Sequence, residues 1–98
     1  MSTIADDPVF SEHLALILKA LAHPSRLRIV AALSEGGVSV GGLAERLGLP
    51  QAIASQQLRI LRSEGLVASE RSEGYAIYAL AEPRLRELLK CLEKCPRA

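Results

Sequence analysis

The sequence is poor in the residues that announce many functions. Its aromatics are Phe10, Tyr75 and Tyr78, with no tryptophan, so its apolar content rests mainly on leucine and alanine. No apolar run approaches the roughly 18 consecutive residues of a membrane span, and no membrane partner is expected. The N-terminal MSTIADDPVF is acidic and lacks the charged-then-apolar build of a signal peptide. Cys91 and Cys95 are the only cysteines. Without an export signal they point to a reducing cytoplasm, where a structural disulfide is not expected. Gly36-Gly37 and Gly41-Gly42 lack the lysine and spacing of a phosphate loop. His13 and His23 lack the cysteine and carboxylate company of a zinc site, and no Ser/His/Asp or Cys/His set stands out. Catalysis is not expected.

Charge of one sign is scarce as well. A net charge of +1 excludes a polybasic arm and an acidic disordered tail. It conceals a local asymmetry, because the stretch from Arg46 to Ser63 holds Arg46, Arg59 and Arg62 and no acid. The length of 98 residues allows one domain, 1–98, and no separate cofactor domain. Nearly half of it is apolar, more than one small core hides, which suggests an oligomer.

The pattern along the chain predicts five helices and a hairpin. Asp7-Pro8 opens the first helix, 8–22, with Phe10, Leu14, Ile17, Leu18 and Leu21 as its stripe. His23-Pro24 breaks it, and a second helix follows with Leu27, Val30 and Leu33 on its buried side and Ile29 beside them. Ser39 caps a short third helix, and Gly48-Leu49-Pro50 makes a tight turn. A fourth helix runs from about Gln51 to Glu64, where Gly65 is a left-handed cap. From Leu66 the period changes to two strands about Ser72-Glu73-Gly74. A last helix, 82–95, carries Leu85, Leu88, Leu89 and Leu92 and stops at Pro96. The first and last helices are expected to pair with a second copy in a two-fold dimer, hiding the surplus apolar surface.

The short helix, turn and longer helix of residues 40–64 form a helix-turn-helix pattern, in which the second helix enters the major groove. Groove and backbone demand donors and positive charge. Gln51, Ser55, Gln56, Gln57, Arg59 and Arg62 supply them, with no acid before Glu64. An ordinary solvated face mixes acids with bases, so this face points to double-stranded DNA. The hairpin at 66–80 would be a wing. Its tip offers Arg71 to DNA but also Glu70 and Glu73, so a purely structural hairpin is an equal reading there.

Three stretches, LKALAHPSRLRIVAAL (18–33), GGLAERLGLPQAIASQQLRILRSEGLV (41–67) and GYAIYAL (74–80), together resemble the ArsR/SmtB-type winged-helix repressors. The resemblance, running from about Leu14 to Leu92, implies a mainly α fold with a small β-hairpin. It also implies a homodimer that represses transcription on an inverted-repeat operator and is released by an effector. Three effector sites known in that family are incomplete here. Val38, Ser39 and Val40 stand where the arsenic and cadmium sensors place Cys-x-Cys, the last helix has no His for a zinc site, and Ala31 stands where the persulfide-sensing branch has a second-helix cysteine.

What remains is Cys91-x-x-x-Cys95, a spacing that puts both thiols on one face of a helix. Such a pair suits a soft metal or metalloid, alone or shared with a second copy, or a disulfide or polysulfide bridge. The plain alternative is two small apolar residues on an interface helix. The sequence therefore supports a thiol-sensing DNA-binding repressor. The rival is a winged-helix protein-interaction module that binds no DNA, its cysteines structural.

Overall fold

The computed structural model describes residues 3–95; the expected stop at Pro96 lies outside them. Helix α1 (Pro8–Leu21) is capped as expected, with the Phe10 amide donating to Asp7 Oδ1 at 3.0 Å. Helix α2 (Pro24–Leu33) follows at once, with His23 in the extended cap position. A two-residue strand β1 (Val38–Ser39) leads into α3 (Val40–Leu47) and α4 (Gln51–Ser63), and the hairpin β2 (Val67–Ser72) and β3 (Tyr75–Leu80) leads into α5 (Pro83–Glu93). The fold is a winged helix-turn-helix, mainly α with a small antiparallel hairpin.

The core is aliphatic. Ile29, Val30 and Leu33 of α2, Leu43 of α3, Leu58 and Leu61 of α4, Leu66 and Val67 at the start of the wing, and Leu85 and Leu89 of α5 are buried together. Leu27 departs from expectation and is 41% exposed. Val30, Leu33 and Ile29 are buried as expected, but at 100° per residue Leu27 stands at the edge of that face, far round α2 from Ile29 and Leu33. The α1 stripe is likewise only partly covered. Leu21 is buried, Phe10, Leu14 and Ile17 are half-buried, and Leu18 is exposed. Within the chain α1 packs chiefly on α2, and α5 on β3. Val9 (76% exposed), Leu16 (66%) and Leu92 (51%) are left uncovered.

The hairpin turns in two residues, Glu73 (φ 51°) and Gly74 (φ 84°), with Ser72 paired to Tyr75. Two positive φ values in succession match the right-handed twist of the flanking strands. Strand β1 then joins the far edge of β3, with Val38 opposite Tyr78 and Ser39 opposite Ile77, giving the order β1-β3-β2. The sequence pattern showed the hairpin and not this third strand. Ser39 belongs to β1 and is also the N-cap of α3, its Oγ accepting the Gly42 amide at 3.1 Å.

Candidate nucleic-acid interface

The helix-turn-helix is closed by local backbone chemistry. Gly48 adopts the left-handed conformation (φ 66°), and the Leu49 amide returns to the Ala44 carbonyl at 3.0 Å, ending α3. Pro50 is the N-cap of α4, and the Ile53 and Ala54 amides donate to its carbonyl. At the other end Gly65 (φ 77°) repeats the device, the Leu66 amide reaching the Leu61 carbonyl at 3.0 Å. Arg28 of α2 donates through Nη2 to the Leu47 carbonyl at 2.9 Å, bracing the turn from behind.

Helix α4 buries only Ala54, Leu58 and Leu61. Gln51, Ser55, Arg59 and Arg62 recur at spacings of four, four and three, so they share a continuous band beside that stripe. Gln56 stands next to Arg59 on the fully exposed side. Gln51, Gln56, Arg59 and Arg62 are exposed and Ser55 is half-buried. No acid interrupts the band, the first being Glu64 at the C-cap.

Gln57 does not join this band. It is half-buried on the opposite flank of α4, where its Oε1 accepts a hydrogen bond from Arg26 Nε at 3.0 Å. Unlike the other predicted DNA-facing donors of α4 it is engaged within the chain: at 100° per residue it falls on the side where α4 meets α2. Arg46, the first arginine of the acid-free stretch, is also engaged, in a 2.7 Å ion pair with Glu35. Both partners are exposed, so this pair contributes little to stability. Arg71, at the wing, donates through Nη1 to the Gly74 carbonyl at 3.0 Å and so folds back over the turn. Arg71, Glu70 and Glu73 are all exposed.

The two cysteines are free and exposed. They do not share a regular helix, because α5 ends at Glu93 with Lys94 as its cap. The Lys94 and Cys95 amides close three-residue turns onto the Cys91 and Leu92 carbonyls, and Cys95 Sγ lies 3.7 Å from the Cys91 carbonyl oxygen. The helix expected to reach residue 95 therefore ends two residues early, at Glu93. Among the described residues no set of three or more His, Cys, Asp or Glu side chains is gathered for a metal. No helix among them is long and apolar enough to cross a membrane.

The likeness to known proteins runs along the same elements. Residues 23–69 match the bacterial regulatory proteins described as the arsR family. The chain is 41% identical over 78 residues to the biofilm growth-associated repressor of Agrobacterium fabrum, an alignment covering 80% of this chain and 67% of that protein. It superposes on the crystal structure of the transcriptional repressor BigR from Xylella fastidiosa with a TM-score of 0.85 and 36% identity, over 98% of this chain and 100% of that one. The solution structure of a homodimeric winged helix-turn-helix DNA-binding domain from Mycobacterium bovis, a possible ArsR-family regulator, gives a TM-score of 0.74 at 29% identity, over 95% and 87% of the two chains.

Proposed function

The chain belongs to the ArsR family of bacterial regulatory proteins, which are transcriptional regulators and not enzymes, and from that premise we propose that it is a cytoplasmic homodimeric repressor of an inverted-repeat operator. The observation that carries this reading is the acid-free band of Gln51, Ser55, Arg59 and Arg62, with Gln56 beside it, on a helix whose neighbouring stripe of Ala54, Leu58 and Leu61 is anchored in the core. Glutamine offers an adenine edge a bidentate partner and arginine does the same for guanine, while Ser55 and Arg62 suit phosphate oxygens. Two copies related by a two-fold axis present two such helices about 34–36 Å apart, one turn of DNA. The exposed Val9, Leu16 and Leu92 supply the apolar surface for that pairing on α1 and α5.

Release is assigned to the thiols of Cys91 and Cys95. Their exposure favours a reactive role, and Cys95, outside the regular helix, is free to approach Cys91 without unwinding the body of α5. With a peroxide, one thiolate attacks the O–O bond to give a sulfenic acid, and the second thiolate displaces its oxygen as water. The two thiols lose two electrons and two protons, and hydrogen peroxide, taking up both, becomes two waters. A polysulfide reacts through the same thiolates, and a soft metal or metalloid bridging the pair is the third form of the same site. The change lies beside Leu92, on the surface assigned to the dimer.

A salt series of gel shifts tests the DNA reading, using a duplex selected by the wild-type protein from a random-sequence pool. Arg59→Ala is expected to weaken binding and to reduce the slope of log K against log salt by about 1 if the contact is to phosphate. An unchanged affinity and slope would count against this face of α4; no DNA retained by the wild type at low salt, with a co-purifying protein partner, would support the protein-interaction module that the acidic wing tip favours. For the thiols, the comparison is wild type against Cys91→Ser under peroxide, polysulfide, arsenite and cadmium. Intact mass separates a two-hydrogen loss from added sulfur or bound metal.

A further inference from the structure

The guanidinium that takes Gln57 away from the DNA face also reaches a third helix. Arg26 donates through Nε to Gln57 Oε1 at 3.0 Å and through Nη1 to the Ala20 carbonyl, in the last turn of α1, at 3.4 Å. Arg26 and Gln57 are both half-buried. One side chain thus joins the end of α1, the start of α2 and the middle of α4. We propose that Arg26 and Gln57 are a positioning pair that sets the roll of α4 relative to α1, and through it the half-site separation that the protein accepts.

The need for such a pair follows from how α4 is held. Its buried stripe of Ala54, Leu58 and Leu61 is narrow, and apolar packing is not directional, so the stripe fixes depth better than roll. Gln57 lies on one flank of the stripe, while Ser55 and Arg62 lie on the other. A directional bond on the Gln57 flank resists rotation that would tip the outward band. The planar guanidinium makes that restraint geometric, because its donors point along fixed directions toward the two acceptors. Its other anchor is on α1, the helix that exposes Val9, Leu16 and Leu18 for a second copy. Recognition helix and dimer helix are thereby indexed to each other. A change of one base pair between half-sites moves the target by about 3.4 Å along the duplex, so small errors in roll matter.

This inference rests on the reading of α4 as the recognition helix and α1 as a dimer helix. The test measures binding of wild type, Arg26→Ala, Gln57→Ala, Gln57→Glu and Arg26→Ala/Gln57→Ala to the selected duplex. Parallel duplexes have the half-sites moved one base pair closer or farther. Gln57→Glu keeps an acceptor for Arg26 but would be repelled if residue 57 faced DNA, so it separates positioning from readout. Wild type and Gln57→Glu are expected to prefer the selected spacing by about tenfold or more, on the scale of a lost base contact. The two alanine variants are expected to lose most of that preference, and the double variant to be no worse than either single one, because one interaction is removed once. Survival of the wild-type preference in Arg26→Ala overturns the pair alone, as does a uniform loss of affinity confined to the Gln57 variants. A wild type without spacing preference overturns the pair together with the dimeric-operator reading beneath it.

Discussion

Arg86 on α5 donates through Nε to the carbonyl of Ser34, 52 residues earlier in the chain, at 3.0 Å. Ser34 is the C-cap of α2, where the helix leaves carbonyls without intrahelical partners and carries partial negative charge. The bond thus ties the helix bearing Cys91 to the end of the helix whose other end holds Arg26. Arg86→Ala is expected to cost about 1–3 kcal/mol, the scale of a charged hydrogen bond. Chemical denaturation measures it, and a value near zero would mean that solvent replaces the contact.

Acid should loosen α5 from its first turn. Glu82 is held down at about 2, first by the Arg84 side chain and then by the Arg84 backbone amide, which its carboxylate caps. A carboxyl lower in the folded than in the unfolded state stabilises above its unfolded value, here about 4.5. That contribution is lost as pH falls from there toward about 2. Glu82→Gln is expected to flatten the stability profile across this window and leave its shape unchanged near neutrality. Thermal melts at stepped pH read the difference.

Gly37 is required by space. A Cβ there would sit 2.9 Å from Ile77 Cγ2, a methyl on a β-branched side chain with little freedom to move. Gly37→Ala is expected to destabilise by about 1–3 kcal/mol, the range of overpacking, and to do so by displacing β3. Denaturant melts compare it with Gly36→Ala, where a Cβ would meet open space and the φ of 142° alone imposes strain.

The apolar face of α1 provides a test of assembly. Leu16→Glu places a charge on a side chain that is 66% exposed in one chain, so folding of the protomer is expected to survive. If α1 joins two copies, sedimentation shows a shift from dimer to monomer, and operator affinity falls with it. A variant that remains dimeric would move the interface elsewhere.

The sequence was most legible where chemistry is local. Asp7 and Ser39 cap helices because a short oxygen-bearing side chain satisfies an amide two or three residues on, and Gly65 ends α4 because it tolerates a positive φ. The band on α4 follows from spacing alone, given a helix. Less legible were relations made by distant segments. Nothing in a two-residue stretch marks Val38–Ser39 as a strand, since its pairing is supplied by β3. Gln57 looks like its neighbours Gln51 and Gln56 until Arg26, 31 residues away, comes alongside it. Leu27 follows the right interval, but the elements that pack on α2 cover Ile29, Val30 and Leu33 and stop short of it. The early end of α5, which takes Cys95 out of register with Cys91, depends on terminal turns that side-chain periodicity does not report.

Ser39 has a consequence for control. Because one residue is both a rung of the sheet and the cap of α3, the wing and the helix-turn-helix share a hinge that cannot flex without breaking one of its two roles. The position of the wing relative to α3 is thereby tied to that one residue rather than left to a free linker. If two copies share one operator, as proposed, a signal at α5 that left this joint intact would act by changing the angle between the copies rather than the shape of either one.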